Sequence, residues 1–187
     1  MREITYVDAI NEAIIEEMER DGQVFILGED ITIGYGGGGM FGATRGLLDR
    51  FGPDRVIDTP LSEVAIAGAA LGAALVGLRP VAEIMFGDFV SIIMDQLVNN
   101  VAKMRWSLND EADVPIVYRT SYGAGIGAGF HHSQSFEAWL AHVPGLKVVM
   151  PSDPADAKGL LKSAIRDNDP VVFMEHKLLY KRMSGPV

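Results

Sequence analysis

The chain alternates short, continuously apolar runs with longer stretches whose apolar residues recur every three or four positions. The short runs are Val24–Gly28 (VFILG), Arg55–Asp58 (RVID), Val81–Phe86 (VAEIMF), Ile116–Thr120 (IVYRT), Lys147–Pro151 (KVVMP) and Val171–Glu175 (VVFME). Their length and apolar continuity predict strands of a parallel sheet covered on both faces. The periodic stretches predict helices over Thr5–Asp21, Ala43–Phe51, Glu63–Val76, Asp88–Ser107, Ser135–His142 and Pro154–Asp167. This alternation predicts an α/β fold, a three-layer α/β/α arrangement on a mostly parallel, doubly wound sheet, in one domain over 1–187. Ligands of such sheets bind at the carboxyl ends of the strands, so the residues just after each strand are where chemistry is sought.

Glu63 is one of those residues. It heads the segment DTPLSEVAIAGAALGAALVGLRP, with Ser62 as an N-cap candidate and Pro60 just before it. A first-turn acid can simply offset the helix dipole. The helix behind it, however, carries Ala or Gly at 65, 67–70 and 72–74, a pattern expected of a helix buried on all sides. A carboxylate entering such surroundings has a raised pKa unless it finds a partner, and at a strand's carboxyl end it is placed to act on a ligand.

Two glycine-dense loops stand out, Gly34–Gly42 (GYGGGGMFG) and Tyr122–Phe130 (YGAGIGAGF). The first formally matches GxGxxG. A dinucleotide fingerprint follows its strand directly and opens a helix. Here Glu29-Asp30-Ile31-Thr32 intervenes, and those acids repel a pyrophosphate, so a mobile surface loop is expected instead. His131 and His132 lie in GFHHSQS beyond the second loop. Either they serve proton transfer or they are loop caps. His142 is expected at a helix C-terminus. No histidine pair has the spacing of a zinc helix, so no catalytic zinc is expected. Glu83, alone in an apolar strand, is expected to pair internally. Phe89, after the third strand, either stacks on a planar ligand or fills the core.

Composition narrows the partners. With 187 residues and 48% hydrophobic content the chain can bury a sizeable core. A net charge of -9 disfavours a nucleic-acid backbone. There is no cysteine, which excludes disulfides and fits a reducing, cytoplasmic setting. The first residues, MREITYVDAINEAIIEEMERDG, are acidic and amphipathic, unlike a targeting peptide. The longest apolar run, Val64–Leu78, is shorter than the roughly 20 residues a membrane span needs, so no membrane association is expected.

Taken in order, ILGED, RVIDTPLSEVAIAGAALGAAL, GLRPVAEIMFGDF, MDQLVNNVAKMRW, HHSQSFEAWLAHVPGLKVVMPSDPADAKGLLKSAI and DPVVFMEHKLLY cover nearly the whole chain. They resemble the beta subunit of the thiamine-dependent dehydrogenase component of 2-oxo acid dehydrogenase complexes, whose members act on pyruvate, branched-chain 2-oxo acids or acetoin. The resemblance implies a pyrimidine-binding domain. It implies that Glu63 hydrogen-bonds a ring nitrogen of the aminopyrimidine of thiamine diphosphate, favouring the tautomer that activates the cofactor. It implies that Phe89 lies beside the pyrimidine and that His132 faces the reacting substituent and the incoming lipoyl arm. It also implies a potassium site at Ile116, Ala164, Asp167 and Asp169.

The family's diphosphate–magnesium motif is absent, since GDF at Gly87–Phe89 is not Gly-Asp-Gly. That motif, with its magnesium, is expected on an alpha-type subunit. A second beta chain and the lipoyl acyltransferase component are the other partners implied. The family's further C-terminal domain is not found within 1–187, which leaves open a noncatalytic domain that only binds an alpha-type partner.

Overall fold

The computed structural model describes residues 1–187, the Tyr35 side chain excepted. Six parallel strands form the main sheet: β2 (Val24–Glu29), β3 (Val56–Thr59), β4 (Arg79–Phe86), β5 (Val117–Tyr122), β6 (Lys147–Val149) and β7 (Val171–His176). Their order across the sheet is β3-β2-β4-β5-β7-β6. From β2 the chain winds outward to β3, then crosses back to β4 on the other side of β2. Between β2 and β4 the winding therefore reverses, which opens a crevice at the carboxyl ends. Two short strands, β1 (Glu3–Thr5) and β8 (Ser184–Pro186), pair antiparallel and tie the two ends of the chain together. At three residues each they are too short for periodicity to reveal.

One face of the sheet is covered by α1 (Tyr6–Arg20), α6 (Pro154–Arg166) and the short α7 (Leu179–Arg182). Both long helices begin at side-chain caps. Thr5 Oγ1 accepts from the Asp8 amide at 3.2 Å, and Asp153 Oδ1 accepts from that of Asp156 at 2.8 Å. Their apolar stripes, Ile10, Ile14 and Met18 on α1 and Ala157, Leu161 and Ile165 on α6, are buried. Their rims are laced by charge. The fully buried Glu17 carboxylate accepts from Arg20 and Arg166, and Glu16 pairs with Lys158 and Lys162.

The opposite face carries α3 (Glu63–Leu75), the helical segment 87–107 and α5 (Glu137–Ala141). Here three sequence expectations change. Helix α3 is buried on one side only, through Ile66, Ala67, Ala70 and Ala74, while Val64, Ala65, Gly68, Ala69, Gly72, Leu75 and Val76 are exposed. Small residues allow close packing but do not by themselves supply neighbours on every side. Ser62 occupies the N-cap position yet makes no side-chain cap bond.

The expected helix Asp88–Ser107 is a 3₁₀ turn at Gly87–Ser91, a π-helix at Gln96–Val101 and an α-helix, α4 (Ala102–Ser107). Across these turns Val90, Ile93, Leu97 and Val101 all stay buried against the sheet. Likewise α2 (Leu47–Phe51) starts later than Ala43, because Gly46 before it is left-handed at φ 77°. No helix is long and apolar enough to cross a membrane.

The loop Gly34–Gly42 is folded down rather than loose. Gly34 and Gly39 form a bridge, the Gly39 amide donates to the Ile33 carbonyl at 2.8 Å, and Gly38 and Gly39 are buried.

Candidate active site

The carboxyl ends of β2, β4, β5 and β7 deliver the polar and aromatic groups of one region. Strand β2 ends on Glu29. The chain leaving β3 reaches Glu63 at the first turn of α3. Strand β4 is followed by Asp88 and Phe89, and β5 by the second glycine loop and His132. Asp88 holds that loop in place, since its Oδ1 accepts from the Gln134 amide at 3.2 Å and from Gln134 Nε2 at 2.9 Å.

Glu63 is half-buried, and among the described residues no donor reaches its carboxylate. Beside it stands Glu29, which sequence reasoning treated only as an obstacle to pyrophosphate. Glu29 is 3% exposed, and both its carboxylate oxygens are buried without a partner. Burial, and then the negative charges of Glu63, Asp30 and Glu83, push its pKa up to about 7. The only hint in the sequence is its place at the end of an otherwise apolar strand. A burial cost of this kind persists where an external group is meant to meet the acid.

The aromatic residues gather around His132. Its ring stacks on Phe86 at 4.3 Å between centroids, and Phe89 meets both rings edge-on, at 5.6 Å from His132 and 5.8 Å from Phe86. The sequence-expected pair Phe89 and His132 is therefore brought together, with Phe86 as their common support. His132 Nδ1 is buried with no hydrogen-bond partner. His131 touches His132 at 4.7 Å but is exposed. His142 caps α5, as expected.

Beneath this region lies a buried charge cluster. Glu83 does pair internally, with Arg119, whose Nη1 donates to it at 2.7 Å. Arg119 also donates to both oxygens of Glu175 at 2.7 Å each, and the Tyr180 hydroxyl donates to Glu175 at 2.6 Å. Gly28, paired with Glu83 across β2 and β4, leaves the room: a Cβ there would lie 3.0 Å from that of Glu83.

The expected potassium ligands sit at the other edge of the sheet, at or before the amino ends of β5 and β7. Lys147 Nζ donates to both Asp167 oxygens at 2.9 and 2.7 Å and lies 3.0 Å from Asp169, while Arg105 donates to Asp169 at 2.7 Å. The Ile116 and Ala164 carbonyls accept from the amides of Val171 and Asp167. With two cationic side chains on them, the Asp167 and Asp169 carboxylates are not available to an added monovalent cation. Among the described residues no cluster of three or more His, Cys, Asp or Glu could hold a metal ion.

The carboxylate pair and the ring cluster both lie at the carboxyl ends of the parallel strands. The family description "Transketolase, pyrimidine binding domain" matches residues 2–183. The chain belongs to this family. The pyrimidine-binding domain is 52% identical over 187 residues to the 2-oxoisovalerate dehydrogenase subunit beta of Bacillus subtilis, covering 100% of this chain and 56% of that one. It is 52% identical over 186 residues to the acetoin:2,6-dichlorophenolindophenol oxidoreductase subunit beta of Cupriavidus necator, covering 96% and 55%. It is 48% identical over 178 residues to the mitochondrial pyruvate dehydrogenase E1 component subunit beta of Homo sapiens, covering 95% and 49%. The chain thus spans about half the length of the curated relatives it matches. Among solved structures, a chain described as split gene transketolase, inactive beta4 tetramer, has the same fold with a TM-score of 0.73, at 19% identity over 93% of this chain and 52% of that one.

Proposed function

We propose that this domain supplies the pyrimidine half of a thiamine diphosphate site that oxidatively decarboxylates a 2-oxo acid and passes the acyl group to a lipoyl arm. The observation that carries the reading is the carboxylate pair: Glu63 with no donor on it among the described residues, near Glu29 buried with both oxygens unpaired. Thiamine diphosphate, when bound, supplies the nucleophile and electron sink for cleaving the bond next to a carbonyl. Glu63, half-buried at the first turn of α3, accepts a hydrogen bond from the heterocycle and so orients it. Phe89 lies against the ring, and His132 offers its unpartnered nitrogen to the reacting substituent.

The diphosphate fits this chain poorly, because Glu29, Asp30 and Glu63 crowd the crevice with negative charge. An alpha-type subunit carrying that half is therefore part of the reading, with a second beta chain and a lipoyl acyltransferase component as further partners in a heterotetramer-based complex. The exposed apolar side of α3 supports such contacts. Potassium is left out, for the reason given by Lys147. A cytoplasmic setting belongs to the same proposal, in line with the cysteine-free sequence; cell fractionation checks it.

An acetoin-cleaving version of the same chemistry has equal support from similarity, at 52% identity to a beta subunit named for acetoin. The noncatalytic alternative, a domain that binds an alpha-type chain without completing a site, is separated by one experiment. Thiamine diphosphate with magnesium is titrated calorimetrically into this chain alone and into its mixture with a cognate alpha-type subunit. Binding only in the mixture, with decarboxylation that Glu63→Gln abolishes while the circular dichroism is unchanged, is the expected result. Full activity in Glu63→Gln, or no binding in either sample, overturns the reading.

A further inference from the structure

Just after β7, Lys177 is buried at 3% exposure. Its ammonium has weak company: it lies 5.4 Å from the centroid of Phe86, and it donates to the Ser121 carbonyl at a long 3.4 Å. Among the described residues no carboxylate lies within salt-bridge distance; Asp88, whose Oδ2 is itself buried and unpartnered, acts on it only from farther away. A buried cation this poorly satisfied is costly, and its pKa is lowered by the burial. Lys177 also lines a cleft of about 460 Å³ at the carboxyl edge of the sheet, together with Lys181 and Arg182. Among the described residues that lining has no Asp or Glu, although the chain carries a net charge of -9. The remaining wall is apolar, with Met40, Phe41 and Ile126.

We infer that this cleft binds the carboxylate of the 2-oxo acid, with Lys177 as the anion-recognising residue and the Met40–Phe41–Ile126 wall receiving the aliphatic tail. The inference rests on the proposed function. Phe86 couples the two regions, since the ring under Lys177 is the one on which His132 stacks. An anion arriving at the cleft supplies the charge partner that Lys177 lacks. A neutral substrate makes no use of that charge.

The test uses the holoenzyme assembled with an alpha-type subunit. Reduction of 2,6-dichlorophenolindophenol is followed with 2-oxoisovalerate, pyruvate and acetoin, for the wild type, Lys177→Met and Lys177→Arg. Methionine keeps the packing on Phe86, and thiamine diphosphate binding reports that the site is intact. The expected result is a KM for the two acids raised tenfold or more in Lys177→Met, with kcat within threefold, an unchanged KM for acetoin, and recovery in Lys177→Arg. Equal losses for acids and acetoin, no change for any, or loss confined to transfer onto a lipoyl domain would overturn it. Calorimetric binding of 2-oxoisovalerate to the same assemblies separates the two proposals. Tight binding that depends on Lys177, in an enzyme that does not decarboxylate, sinks the proposed function and keeps the site. No binding of the acid to the wild type sinks the site.

Discussion

Arg119 and Glu175 meet through two parallel hydrogen bonds of 2.7 Å, at 2% and 0% exposure. They stand on adjacent strands, β5 and β7, so the sheet's own register holds the guanidinium fork against the carboxylate. Glu83 stays on Arg119 Nη1, but without the Glu175 carboxylate the buried Nε and Nη2 donors and the Tyr180 hydroxyl lose a charged acceptor. Glu175→Gln is expected to destabilise the chain by about 1–3 kcal/mol, read from urea unfolding. A loss below about 1 kcal/mol would show that the cluster relaxes or hydrates.

Glu29 is expected to make stability fall as pH rises. Its pKa in the fold, about 7, lies above the ordinary 4.5. The folded state therefore holds the proton more tightly than the unfolded chain does. The stabilisation from Glu29 is full below about pH 4.5 and is lost as pH rises through about 7. Over that window the shift corresponds to about 3 kcal/mol. Glu29→Gln should flatten the profile and leave the variant more stable than wild type at pH 8. A pH profile indistinguishable from wild type would place the missing proton elsewhere.

Gly123 joins β5 to the second glycine loop at φ +86°, and a Cβ there would lie 2.5 Å from His176 Nε2. Gly123→Ala is expected to cost about 2–3 kcal/mol from backbone strain and the clash. The double variant with His176→Ala should recover part of that loss. Purely additive effects would show that the backbone angle, and not the imidazole, sets the requirement.

Gly68 and Gly72 lie on the exposed side of α3 with nothing within 4 Å of an added Cβ. Gly→Ala at each should stabilise the isolated chain by about 0.5–1 kcal/mol, because alanine gives up less backbone freedom on folding. If this side packs tightly on another subunit, the same methyls should weaken assembly, measured by analytical ultracentrifugation with the alpha-type partner. Unchanged assembly would mean that no close helix contact forms there.

Much of the fold was legible because parallel strands buried on both faces must be apolar throughout. VFILG and VVFME announce themselves for that reason. Helix α3 was misjudged because smallness permits burial without causing it; what covers a helix is decided by its neighbours. The π turn at Gln96–Val101 was invisible because its apolar spacing still resembles that of an α-helix. Among the proposed site residues, Glu63, Phe89 and His132 could be named from motif and position. Glu29 could not be recognised as an acid without partners, since the approach of Glu63 and Glu83 depends on strand order rather than on sequence distance.

By itself the sequence determined the parallel α/β class, the family, and the residue types available at the strand ends, because these follow from local periodicity and from motifs read in order. Only the tertiary structure decided which acids share a crevice, that Arg119 pairs with both Glu83 and Glu175 while Glu29 stays unpaired, and that Lys147 already holds the Asp167 and Asp169 carboxylates. The reason is physical. Electrostatic and hydrogen-bond energies depend on distance and burial between groups far apart in the chain, and a residue's own neighbours in sequence carry no record of either.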